Sequence, residues 1–140
     1  MSRYNRINLD GKSCTETRLV TADTWPGSVV SITAGKFAKY VTAGSVTAKL
    51  YVLGVDYVQG KTADDLVLAD DTGVADYAET GRELAVLVKA AAVLVKDTPL
   101  TTDAGGVLKV GTPATDDIVA YSQEALTVGE SAEMVRVRFA

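Results

Sequence analysis

The chain has 140 residues, 47% of them apolar and 23% charged, with 18 acidic against 14 basic side chains. This is the length of one domain with a single core, and a formal net charge of −4 supplies no basic face for displacing counterions from a duplex, which weighs against nucleic acid as a partner. There is no histidine and one cysteine, Cys14, which excludes an intramolecular disulfide, Ser-His-Asp and Cys-His catalysis and most zinc sites. Cys14 reads as a small buried or half-buried hydrophobe. The 20 valines, 16 threonines and 3 isoleucines are stiff at χ1 and fit a pleated surface, so composition alone points to an all-β fold.

In chain order, Met1 to Thr15 reads as a polar N-terminal arm with a turn at Asp10-Gly11. It has no apolar h-region, so no secretion signal is expected. Thr17 to Thr21 is a predicted strand, followed by a loop at Thr24-Trp25-Pro26-Gly27. Pro26 cannot donate to a ladder, which places that loop at an edge or corner. Val29 to Thr33 and Phe37 to Val41 form a predicted hairpin through Ala34-Gly35. Leu50 to Val58 is expected as one long strand bent at Gly54. Thr62 with Asp65 resembles a capping box, so a short helical turn is expected over Thr62 to Val67. Leu66 to Ala69 leads into a turn at Asp70 to Gly73.

Leu84 to Val95 is the longest apolar stretch, twelve residues interrupted by Lys89. It falls short of the roughly 20 residues of a membrane span. Alanines 90–92 favour helix, whereas the valine-rich flanks favour two buried strands joined near Ala90 to Ala92; the strand reading is preferred. Pro99 to Thr102 continues extended, and Asp103 to Gly106 is a hairpin turn into Val107 to Val110. Ile118 to Tyr121 and Glu124 to Thr127 read as short strands. Met134 to Phe139 alternates cleanly, with Val135, Val137 and Phe139 on one face and Arg136 and Arg138 on the other. About ten short strands with regular turn signals predict a small β-barrel or β-sandwich, residues 16–140, preceded by an extended arm, residues 1–15, with at most one short helix.

The chemistry-bearing motifs are sparse. Asp64-Asp65, Asp70-Asp71 and Asp116-Asp117 read as turn and solubility residues, because a glycosidase needs carboxyls facing each other across a cleft. No calcium loop and no phosphate loop occurs. No cofactor, no metal and no enzymatic activity is expected. The candidate contact residues are Arg3, Tyr4 and Arg6 in the arm and the single tryptophan, Trp25. Arg makes bidentate contacts to carboxylates, and aromatic side chains dominate interface hot spots. The alternatives are a disordered terminus for the arm and a core position for Trp25.

The order of segments carries a resemblance. Ile7-Asn8-Leu9-Asp10-Gly11-Lys12 is followed by Trp25 to Thr33, then by Leu53 to Asp65 with its Gln59-Gly60-Lys61-Thr62-Ala63-Asp64-Asp65 run. Val95 to Leu100, Asp103 to Lys109, Ile118 to Ala125 and Val135 to Val137 follow. This order, over nearly the whole chain, resembles the capsid decoration (cement) proteins of tailed bacteriophages. Ala90-Ala91-Ala92 departs from the pattern, where a Gly or Pro turn is expected. The resemblance implies a β-rich structural virion protein that binds the outer surface of the expanded head. Its partner would be the major capsid protein, and it would self-associate, as a homotrimer or else a dimer. It implies synthesis in the bacterial host cytoplasm, residence on the virion surface, and multivalent clamping of neighbouring capsid subunits. The rival readings are a phage tail or receptor-binding component and a biotinyl or lipoyl carrier domain, although neither Lys96 nor Lys109 has the hydrophobic hairpin-tip setting of a modifiable lysine.

Overall fold

A computed structural model describes residues 3–12 and 14–140; Met1, Ser2 and Ser13 of the predicted arm lie outside the described residues. The protein is all-β. Its strands are β1 (Thr15–Leu19), β2 (Val29–Thr33), β3 (Lys36–Lys39), β4 (Tyr51–Leu53), β5 (Thr72–Tyr77), β6 (Glu83–Val88), β7 (Val93–Leu94), β8 (Pro99–Thr102), β9 (Leu108–Val110), β10 (Ala120–Ser122), β11 (Leu126–Thr127) and β12 (Glu133–Phe139). One three-residue 3₁₀ turn, Tyr57–Gln59, is the helical content of the described residues.

The strands divide by sequence into two bodies. β1 to β5 form a sheet of order β1-β5-β4-β2-β3, and β10-β12-β6-β9-β8 close into a five-stranded barrel, with β7 and β11 paired beside it. The first sheet is itself rolled: past the end of β1, Val20 bridges Phe37 of β3, and the Thr21 N–H donates to the Phe37 carbonyl at 3.0 Å.

The period-2 alternation of strand side chains explains how the two bodies share a core. In β2 and β4, Val30 and Leu53 point into the roll, where they pack with Val20, Phe37, Val67 and Ala75. Their neighbours Val29 and Val52 point the other way and join the barrel core around Leu84, Val86, Leu100, Leu108, Val135 and Val137. β12 alternates as its sequence predicts, with Val135, Val137 and Phe139 buried and Arg138 exposed. It lies between β10 and β6 and supplies the longest register of the barrel, from Glu133↔Val88 to Arg138↔Glu83.

Four sequence expectations are corrected. β5 was not anticipated, because Thr72-Gly73-Val74-Ala75-Asp76-Tyr77 lacks a row of bulky apolar residues. Its inward positions are small for a packing reason: a Cβ on Gly73 would lie 2.8 Å from Val20 Cγ2 and 2.9 Å from Leu53 Cδ1. The expected long strand from Leu50 to Val58 stops at Leu53. Gly54 donates its N–H to Val74 at 2.8 Å, and the chain then turns into the 3₁₀ segment. The helical turn therefore sits at Tyr57–Gln59, not over Thr62 to Val67. Thr62 and Asp65 do make capping-type bonds, with Asp65 Oδ2 accepting from the Thr62 N–H at 2.8 Å and its hydroxyl at 3.0 Å, but they close an isolated turn. Finally, the pair near the end is shifted, to Ala120–Ser122 and Leu126–Thr127. The two strands expected on either side of Ala90 to Ala92 are present as β6 and β7, and Ala91 takes the left-handed turn conformation at φ 64°.

Residues 7–9 lie along β6. Ala85 donates to the Ile7 carbonyl at 2.9 Å and Leu9 to the Glu83 carbonyl at 3.2 Å, and Ile7 is buried in the barrel core.

Candidate functional site: a tryptophan groove and a buried arginine

Trp25 opens a tight turn, with Pro26 at the second position and Gly27 at the third with φ 88°. The Ser28 N–H closes it onto the Trp25 carbonyl at 3.2 Å. Proline fixes φ at the second position and the left-handed φ at the third suits glycine, so the sequence prescribes this turn. The turn is wedged between the two bodies: Gly27 donates to Leu53 at 2.8 Å, and Leu87 donates to Gly27 at 2.9 Å. Pro26 and Gly27 are buried, and the indole is left 46% exposed.

Trp25 lines a groove of about 530 Å³ together with Pro26, Leu87 and Met134, and with the polar residues Arg3, Asp64, Ser131 and Glu133. Two of the residues singled out from the sequence, Arg3 and Trp25, thus meet across a long stretch of chain. Arg3 is engaged within the protein, donating to both oxygens of Glu124 at 2.8 and 3.0 Å. Its guanidinium also stands 5.7 Å from the Tyr4 ring centre, in a cation–π arrangement. Burial, reinforced by donation to Glu124, pushes the Tyr4 phenol up to about 12. Arg6 is exposed and is not among the groove's lining residues.

A second cluster was not foreseen. Arg82 is the largest fully buried side chain among the described residues, at 1% exposure. It joins three parts of the fold. Nε donates to Asp10 Oδ2 at 2.9 Å, and Nη2 to Asp76 Oδ1 of β5 at 3.3 Å. Nη1 donates to the Tyr77 carbonyl and Nη2 also to the Lys12 carbonyl, both at 3.2 Å. Asn8 adds a bond to Asp76 at 3.2 Å. Burial alone pushes the Asp10 carboxyl up, but donation from Arg82 and from the Lys12 and Glu83 N–H groups outweighs it and holds Asp10 at about 2. For Asp76 burial dominates over the Arg82 bond and pushes the carboxyl up. A lone arginine in a sequence reads as a surface residue. The available clue is Asn8-Leu9-Asp10-Gly11, whose polar residues close a loop over the guanidinium.

The depressed carboxyl carries a pH dependence with a definite sign. A carboxylate held below its unfolded value of about 3.9 contributes stability that is complete above that value and is lost as the pH falls towards the folded value. The stability difference between the protein and its Asp10→Asn variant is therefore expected to shrink as the pH falls from about 4 to about 2. Urea midpoints of both proteins across that range check this, and a constant difference would refute it. Asp76, being raised, acts with the opposite sign in the parent protein.

Among the described residues no group of three or more His, Cys, Asp or Glu side chains is arranged to hold a metal ion. Among the described residues no helix is long and apolar enough to cross a membrane. No protein-family model matches the chain, and no curated protein matches it.

Proposed function

We propose that this is a structural virion protein that binds the outer surface of an expanded phage capsid and stabilises it, with the major capsid protein as its partner and self-association as part of its action. The reading starts from the order of sequence segments that resembles decoration proteins. The observation that carries it further is the presentation of Trp25. A half-exposed tryptophan is held by a buried Pro-Gly turn against two cores, so it offers a large contact area with little conformational entropy left to lose. A surface that must hold a lattice under load gains from such a rigid anchor, and many weak anchors on one particle act together.

The deciding experiment is co-sedimentation with mature expanded heads stripped of this protein. Saturable binding at a fixed ratio to the major capsid protein is expected, and removal of residues 1–6 is expected to reduce retention. Binding to tails or host cells in place of heads would overturn the proposal. Unchanged retention of the truncated chain would remove the arm from the contact.

A further inference from the structure

We propose that the Trp25 groove receives a lysine or arginine side chain, flanked by apolar residues, from the surface of a partner protein. The groove pairs two features that favour a cation. One is the half-exposed indole of Trp25, an aromatic ring whose face attracts positive charge through its quadrupole. The other is Glu133, half-buried at the start of β12, which makes no ion pair among the described residues.

Arg3 is the cation already in the lining; its guanidinium is committed to the two-pronged contact with Glu124, and Glu133 acts on it through charge without an ion-pair contact. Pro26, Leu87 and Met134 give the remaining lining an apolar part, and Asp64 adds a second carboxylate to it. A side chain with a three- or four-carbon stem and a charged head matches this division, because the stem covers apolar surface while the head reaches the carboxylate. A purely apolar occupant would bury Glu133 without a partner, and an acidic one would meet a like charge.

The inference does not rest on the capsid reading, and its test needs no capsid. Trp25 is the only tryptophan in the chain, so indole emission reports on this groove alone. The full chain is titrated with a blocked pentapeptide carrying arginine at its centre between two leucines. The same peptide with citrulline, and with glutamate, serves as the comparison. Saturable change in emission is expected with the arginine peptide, weaker binding with citrulline and none with glutamate. Glu133→Gln is expected to weaken the arginine peptide about threefold. Trp25→Leu, followed by calorimetry because it removes the reporter, is expected to weaken it about fivefold. Equal affinity for the arginine and citrulline peptides, an unchanged affinity in Glu133→Gln, or no saturable change at millimolar peptide would each overturn the proposal. Peptide binding without binding to heads would leave it standing and remove the capsid reading.

Discussion

The Arg82→Ala variant is expected to unfold at a much lower urea concentration than the parent, with stability reduced by about 3–5 kcal/mol. The loss has two sources. Asp10 and Asp76, with side chains only 13% and 8% exposed, lose the cation that makes their burial tolerable. The Tyr77 and Lys12 carbonyls lose a donor at the same time. A buried charge stripped of its partner costs more than the pair contributed, so the cluster is costly to break without being a large source of stability. Neutralising all three members, as Arg82→Met with Asp10→Asn and Asp76→Asn, is therefore expected to recover much of the loss. If the triple variant were no more stable than Arg82→Ala alone, the loss would have to come from packing and not from uncompensated charge.

Phe37→Ala is expected to cost about 3–5 kcal/mol, the range for emptying a fully buried aromatic site. Phe37 is wholly buried in the roll formed by β1 to β5, where five other buried side chains make up the cluster. So small a core has little with which to refill the cavity. The form of the unfolding curve is as informative as its midpoint. β2 and β4 give alternate residues to the two cores, so weakening the roll must also loosen Val29 and Val52 in the barrel core. Tryptophan emission and far-ultraviolet circular dichroism should therefore report one shared transition, moved to lower denaturant. Separation of the two curves would mean that the roll opens independently of the barrel.

These features were unevenly legible in the sequence. β12 could be read directly, because one face is buried and the other wet, and alternating Val and Arg record that difference. The hairpin at Ala34-Gly35 was also legible from its turn. β5 was hidden because it lies between β1 and β4 and its inward residues, Gly73 and Ala75, are small to admit Val20, Leu53 and Phe37. A strand selected for close approach gives no apolar alternation. Trp25 and Arg3 were each identifiable by residue type. Their meeting in one groove depends on β12 and the Trp25-Pro26 turn being neighbours in space, which no local pattern encodes. The Arg82 cluster joins residues 10, 76 and 82 and was invisible for the same reason.

The division of strands along the chain bears on how the protein is made. All strands of the roll lie before residue 78, and all those of the barrel after residue 82. A nascent chain can thus pair β1 to β5 while the second half is still being synthesised. The barrel must wait, because β12 stands between β10 and β6 and no closed ring exists until it has left the ribosome. During that interval β6 has no partner on its β12 side, and its Leu84, Val86 and Val88 lack the Val135 and Val137 side chains that complete their core. An exposed apolar strand edge is the feature of a folding intermediate most prone to pair with another chain. Crowded synthesis therefore places its greatest demand on the interval before the final strand emerges, and truncations that remove β12 are the forms most exposed to aggregation.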